Sequence, residues 1–466
     1  MAAERARGFD SVVRGGTLAT PEGAFAADVG VRDGLIAAVG RDLDASGADV
    51  IDASGLVVAP GAIDVHTHFA NQVGEGVTAD DYQSGSRAAA AGGITSFVNF
   101  AFQEPGRSLR DAAERELERA GGRSLLDFGV HLAITDVDVP GLLDDLPALA
   151  GDGFTSLKLF TAVHGLELGP RAVLQVLDAA ARNGLMVNVH AEDGPLVDHL
   201  TSRLLEQGRR SVEHLAAARP PETEAIATAT VAAYGRATGC AVYFVHLSCR
   251  AALDAVRDAR RRGTEIYVET RPAYLYLDAS RYTLPDGEGN KFVCWPPLRS
   301  LDDQEALWEG LRSGEIQTYA TDHTTWMAAQ KMDPSLSFDE IPGGVSNVQT
   351  SIGMLYSEGV AKGRISLAQF VEVTASNPAR LFGLWPRKGT LLPGADADLV
   401  LIDPRRRFRV TAPAMESRSD FDPYEGFEVE GWPVVTIAGG EVIMRDGRVA
   451  AAPGRGRFLV RGRRDW

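Results

Sequence analysis

Cysteine is scarce in this chain. Its 466 residues include three, Cys240, Cys249 and Cys294; an odd number without C-x-x-C spacing excludes a disulfide framework and a thiolate metal site. Long apolar runs are also missing. No stretch reaches the roughly 18 uncharged apolar residues of a membrane span, and the opening MAAERARGFD carries no apolar leader segment, so the expected location is the cytoplasm. Positive charge is in deficit: 47 Lys and Arg stand against 63 Asp and Glu, a net charge of -16. Such a field repels polyanions, which argues against nucleic acid and anionic membrane as partners. Internal repeats and low-complexity segments are absent as well.

What the chain does have is core material, 45% hydrophobic against 24% charged residues. Its length exceeds the roughly 250 to 300 residues at which one core stops growing. A large domain with a smaller companion is the natural division. Residues 9–54 are short apolar runs (FDSVVRG, AFAADVGV, LIAAVG, DVIDAS) broken by Gly and Asp, the punctuation of antiparallel strands. From Gly55 eight longer runs follow: LVVAPGAIDV, GITSFVNFA, LLDFGVHLAIT, FTSLKLFTA, LMVNVH, AVYFVHLS, EIYVET and IQTYATD. Helical stretches such as 80–91, 109–120, 171–183, 222–238 and 302–312 lie between them. That alternation predicts parallel strands with helical crossovers, closing into a TIM-type (β/α)8 barrel over residues 57–384. Short strand-like runs return after Leu384, so residues 1–56 and 385–466 are expected to form one small β-sandwich.

In such a barrel the loops after the strands build the functional site, so the polar residues closing each apolar run are the candidates. His66 and His68 follow AIDV, on one side of the chain because strand side chains alternate. Lys158 interrupts SLKLF, His190 closes LMVNVH, His246 closes VYFVH and Asp322 closes IQTYATD. Singly, each has a bland reading: a satisfied core histidine, a helix-capping Asp, a Lys that snorkels to water. Jointly they do not, since four of nine histidines fall at equivalent strand ends and an Asp completes the set.

Neutral imidazole and carboxylate suit divalent ions such as zinc. Four His and one Asp are too many for one catalytic ion that keeps a position open. Two ions are therefore expected, Zn2+ first and Mn2+ as the alternative. Ions about 3.5 to 4 Å apart need a bridging oxygen donor, and the candidate on an interior strand is Lys158. An ammonium has no lone pair to offer. Addition of CO2 to the amine gives an N-carboxylysine, with one oxygen for each ion.

These motifs resemble the amidohydrolase superfamily and, within it, the dihydropyrimidinase and hydantoinase family. The resemblance runs over PGAIDVHTH, TADDYQSGSRAAAAGGITSFVNFA, SLKLF, VHAED, ARPPETEA, VYFVHLSC, VETRPAYLYLD, PPLR, ATDH and GADADLVLID. It implies that His66, His68 and Asp322 hold the more buried ion, His190 and His246 the other, and carboxylated Lys158 bridges them. It also implies a homo-oligomer, dimer or tetramer, with the basic tail 455–466 as a candidate arm to a neighbour. The implied reaction is hydrolysis of a small cyclic amide. Hydroxide shared by the ions attacks the ring carbonyl, while Asp322 takes its proton and returns it to the leaving nitrogen. No organic cofactor is required.

The substrate pocket departs from the family pattern. Family members carry a Tyr five residues after the bridging Lys as an oxyanion donor; here the position is Val163, with His164 next to it as a candidate substitute. Trp295 precedes PPLR where a Ser is usual, and Gly343 stands in IPGG where an Asn is usual. These four positions are read as substrate-binding, and they predict a ring other than ordinary dihydrouracil or hydantoin. Two rivals stand beside this reading: an allantoinase-type ureide hydrolase, and a non-catalytic scaffold like the collapsin response mediator proteins, which have lost metal ligands that this chain keeps. A dihydroorotase is disfavoured, because Ala70 replaces the Arg that usually follows the H-x-H.

Overall fold

A computed structural model describes residues 8–73 and 76–466; residues 1–7, part of the N-terminal segment assigned above to the small sandwich, lie outside the described residues. Eight strands form the larger sheet: β1 (Ala62–Thr67), β2 (Ile94–Phe102), β3 (Asp127–Ala133), β4 (Ser156–Phe160), β5 (Met186–His190), β6 (Val242–Phe244), β7 (Ile266–Thr270) and β8 (Thr318–Tyr319). They are hydrogen-bonded in that order, every pair parallel. A parallel bridge between Thr67 and His323 brings the end of β8 back to β1, so the barrel is nearly closed. Every residue of β1, β4, β5 and β7 is buried, as expected when helices cover one face and the barrel interior the other.

The crossover helices include α1 (Tyr82–Ala91), α2 (Leu109–Ala120), α3 (Pro170–Asn183), α4 (Pro221–Thr238) and α5 (Leu301–Ser313). Capping sets their ends. Asp81, Ser108 and Ser300 each close a reciprocal box with the third helical residue, satisfying amides that the first turn leaves open. The first helix therefore starts after Asp81, and Asp80 is released to bond His323 at 2.9 Å.

The second sheet has nine strands drawn from both chain ends. Val57–Pro60 is its junction, parallel to Ser11–Thr20 on one side and antiparallel to Leu399–Arg409 on the other. The sheet curls until the Ile36 amide donates to the Ala395 carbonyl, the Gly394 amide to the Ile36 carbonyl and the Ala397 amide to the Gly34 carbonyl, each at 2.8 Å. It thereby encloses its own core of Val13, Leu18, Val29, Ile36, Val58, Leu401 and Val435. The run LVVAPGAIDV, read above as one strand, is thus divided between the two sheets. Gly61 makes the crossing, because a Cβ there would lie 2.2 Å from Thr95 Oγ1.

The basic tail lies against its own barrel. Phe458 bridges Phe128, Leu459 is buried with Ile63, Val65 and Tyr243 at the N-terminal end of the barrel, and Trp466 stacks edge-on to Tyr267 at 5.3 Å. Apolar residues interleaved with the arginines explain this seat. No helix among the described residues is long and apolar enough to cross a membrane.

Lys388 ties the two sheets together. It is 2% exposed, and its Nζ lies 2.6 Å from Asp398, 3.0 Å from Asp396 and 3.0 Å from Asp127 at the start of β3. Burial opposes its charge, but the three carboxylates outweigh burial and raise its pKa. Lys388→Met leaves the buried Asp398 and the partly buried Asp127 without their lysine partner, while Asp396 keeps Arg387 at 3.0 Å. The expected cost is about 3 to 5 kcal/mol, measured as a lower midpoint in urea unfolding; an unchanged midpoint would contradict it.

Candidate metal centre and active site

The barrel order carries His66, His68, Lys158, His190, His246 and Asp322 to one mouth, and all six are buried. The four imidazoles form a chain from His68 to His66 to His246 to His190, with ring centroids 5.3, 5.5 and 4.7 Å apart. Asp322 Oδ1 lies 3.2 Å from His66 Nε2 and 3.1 Å from His68 Nε2. Across the mouth, His190 Nδ1 faces His246 Nε2 at 3.0 Å. Lys158 Nζ sits over the Phe160 and Phe100 rings, 4.8 and 5.3 Å from their centroids, and within electrostatic reach of His68, His190 and His246. His246 and Asp322 take left-handed backbone angles, φ 40 and 49°. Non-glycine residues hold such angles at a cost of about 1 to 3 kcal/mol, and they cluster at functional sites.

The outer nitrogens of three rings are fixed. Glu269 meets His66 Nδ1 at 2.7 Å, Asn71 meets His68 Nδ1 at 3.1 Å and Glu192 meets His190 Nε2 at 2.8 Å. This is the arrangement that selects a tautomer and aims the free lone pair at an ion. The fourth ring leaves Nδ1 of His246 buried with no hydrogen-bond partner among the described residues. Sequence reasoning misses Glu269 and Glu192. Their signal exists in the carboxylate inside the apolar run EIYVET, and in the one following His190 in VHAED. Two further histidines are satisfied elsewhere: His131 by Ser156 and the Val65 carbonyl, His323 by Asp80 and two backbone amides.

Burial lowers the pKa of His68 and His190, and holds His246 well below the usual range, helped there by His190. These rings are neutral and offer lone pairs. Burial also acts against the charge on His66, but Glu269 and Asp322 outweigh it and raise the pKa. Asp322 goes the other way. Burial would raise it, and the Arg271 guanidinium with His66 instead holds it well below the ordinary carboxylate range. Burial, against the opposing pull of Asp322 and Glu269, brings Lys158 down to about 7, so a large fraction of its amine is neutral near physiological pH and able to attack CO2.

These donors fit a pair of divalent ions. His66, His68 and Asp322 offer ligand atoms within 4.8 Å of one another, and two neutral imidazole nitrogens face each other across the mouth, which imidazoles do favourably with an ion between them.

The four substrate-pocket positions gather less tightly. Val163, His164 and Trp295 line one cavity of about 610 Å3, together with Glu192 and Arg219. Gly343 lies behind its wall, where a Cβ would come within 3.1 Å of the Trp295 ring. His164 is exposed. Val163 has φ 95°, a strained angle for a β-branched residue. Arg219 lies over the Trp295 ring at 4.9 Å and bonds Glu192 at 2.5 Å. Trp295 Nε1 is buried with no hydrogen-bond partner among the described residues.

A parallel barrel that collects imidazoles, carboxylates and a neutral lysine at its strand ends has the architecture of an enzyme with its chemistry in the βα loops. A family model described as the amidohydrolase family matches residues 57–443, and the chain belongs to that family. It is 39% identical to a D-hydantoinase of Geobacillus stearothermophilus, covering 97% of this chain and 96% of that protein. It is 38% identical to one of Rhizobium radiobacter, covering 97 and 99%. Among solved structures, a dihydropyrimidinase from Brevibacillus agri superposes with a TM-score of 0.96 at 37% identity, covering 98% of this chain and 99% of that one.

Glu269 also accepts from Tyr243 Oη at 2.9 Å and from the His246 amide at 2.9 Å, so it orders ligands on both sides of the mouth. Glu269→Gln is expected to weaken metal binding by about 10- to 100-fold, read by competition with a chelator. Wild-type affinity in that variant would remove Glu269 from the site.

Proposed function

We propose that this protein hydrolyses the C–N bond of a small cyclic amide, a ring of the hydantoin, dihydropyrimidine, imide or lactam type. The observation that carries the reading is a chain of four neighbouring imidazoles at one barrel mouth, with the Asp322 carboxylate beside His66 and His68 and a buried lysine near them. His66, His68 and Asp322 would hold one divalent ion, Zn2+ or Mn2+, and His190 and His246 a second. Lys158 would join them once its neutral amine forms an N–C bond to CO2 and presents two carboxylate oxygens. Bound ions of this kind supply Lewis acidity, which polarises a carbonyl and makes water nucleophilic near neutral pH.

The chain's own groups do the rest. Asp322 is kept ionised, so it can accept a proton from the attacking water. A weakly basic carboxylate then gives that proton readily to the ring nitrogen as the C–N bond breaks. Phe100 and Phe160 keep the lysine end of the mouth dry. The cavity beside the mouth takes the rest of the ligand. Val163 brings no donor to it, and Trp295 forms part of its wall.

In this reading residues 57–384 are the catalytic barrel and residues 1–56 with 385–466 its supporting sheet; the pairing of Val57–Pro60 favours a crossing at Gly61. Buried, unpaired Cys240, Cys249 and Cys294 suit a reducing compartment such as the cytoplasm. The resemblance extends the proposal to a homodimer or homotetramer.

A panel of cyclic ureides, imides and lactams tests the function. At least one ring is expected to open, with Lys158→Ala abolishing turnover. A lost oxyanion donor costs about 2.7 to 4 kcal/mol, or 10²- to 10³-fold in kcat, so unsubstituted hydantoin and dihydrouracil should lag the preferred ring by about that factor. Normal turnover of dihydrouracil would refute the altered pocket. Lysine carboxylation has its own pH window. The amine must be neutral, so the adduct forms above a pKa of about 7 and is lost as pH falls below it. Carbon NMR with labelled bicarbonate should show a carbamate signal in mild base, its loss in mild acid, and none in Lys158→Ala.

A further inference from the structure

Arg271 follows the last residue of β7 and is 0% exposed. A guanidinium removed from water is costly unless its nitrogens find partners; here Nε has none among the described residues, and the two terminal nitrogens carry the contacts. Its Nη1 ion-pairs with Asp322 Oδ2. Its Nη2 donates to Tyr274 Oη at 2.8 Å, and the group lies 4.4 Å from the centroid of the same ring. Tyr274 Oη donates onward to the Pro296 carbonyl at 2.6 Å, one residue past Trp295. An unbroken path of contacts thus runs from a ligand carboxylate to the cavity wall. The other oxygen of Asp322 is the one turned toward His66 and His68, at 3.2 and 3.1 Å.

We propose that Arg271 is a positioning residue for ring opening: it holds Asp322 Oδ2 so that Oδ1 alone faces the pocket between His66 and His68, and through Tyr274 it fixes Pro296 beside Trp295. The inference rests on the hydrolase reading above and adds to it a link between the metal centre and the substrate wall. Shape carries the assignment. A rigid planar fork reaches Asp322 with one nitrogen and Tyr274 with another, which a single ammonium on a flexible stem does not. Asp322 is already in a strained left-handed conformation, φ 49°, so its carboxylate has its direction set from both the backbone and the guanidinium.

The test is Zn2+ competition titration on the metal-free full chain, combined with kinetics on the ring that the panel selects. Arg271→Met is expected to lower Zn2+ affinity by about 10- to 100-fold, the range for a group that orients a metal ligand, and to lower kcat more than it raises KM. Arg271→Lys keeps the charge without the fork and should stay well below wild type in both. Tyr274→Phe should leave Zn2+ affinity unchanged and raise KM, because it cuts only the branch to Pro296. Zn2+ binding by Arg271→Met as tight as wild type, or tighter, overturns the proposal. Full recovery by Arg271→Lys also overturns it, since charge alone would then suffice. A wild-type chain that opens no ring overturns the hydrolase reading itself, and the titration, which needs no turnover, tells the two failures apart.

Discussion

Between the last and first strands of the barrel, the Asp64 carboxylate accepts both the amide and the hydroxyl of Thr321, at 3.1 and 2.5 Å, and also the amide of His66 at 3.2 Å. One buried side chain thus fastens the residue before Asp322 to the strand bearing His66. The His68 amide donates to the His323 carbonyl at 3.0 Å and continues the seam. Side chains alternate along a strand, so a slip of one residue in β1 would turn His66 away from the mouth. The carboxylate and two imidazoles of the candidate His-His-Asp cluster come from chain segments more than 250 residues apart, and they meet only because this seam has one register.

Around that seam the charges are arranged in opposed pairs. A site built from imidazoles needs them neutral, and burial supplies this for His68, His190 and His246. Carboxylates are needed to orient the rings, yet burying carboxylates without cations is costly. Glu192 is therefore met by Arg219, and Asp322 by Arg271. Burial would raise Glu192, but Arg219 and His190 bring it down to about 2, so the group that orients His190 is an anion throughout the working range. Each guanidinium also touches the Trp295–Pro296 segment, Arg219 through the indole face and Arg271 through Tyr274. Ligand orientation and pocket shape are consequently held by the same cations.

How much of this the sequence discloses follows from how each feature is encoded. The eight barrel strands are legible because each is buried on both faces and is written as an apolar run. The metal donors are legible because a His, Lys or Asp stands out in such a run. Glu269 stands out in the same way in EIYVET but has no partner visible in one dimension. Its meaning comes from His66, some 200 residues earlier. Arg271 is harder still. An Arg before a Pro reads as a surface residue, and only the contact with Asp322 makes it interior. The split of LVVAPGAIDV at Gly61 is invisible for a different reason: one apolar texture serves two sheets, and the demand for glycine comes from Thr95, which is remote in sequence.

The three departures in the pocket reduce to fewer independent changes once packing is considered. A Cβ at position 343 would stand 3.1 Å from the Trp295 ring. Any larger side chain there would have to displace the indole, so Gly343 and Trp295 are one change written at two positions. The indole is held on its other side by Arg219 at 4.9 Å, which makes it a fixed wall. Val163 belongs to the same cavity. Its backbone angle, φ 95°, strains any residue with a side chain, so the loop conformation is imposed by its surroundings and not by the valine. The indole Nε1 is itself buried, with no hydrogen-bond partner among the described residues. The strands that carry His66, Lys158 and His190 include none of these three positions. The departures from the expected pattern sit on loops and the candidate donors at strand ends, the division of labour that lets one barrel serve many substrates.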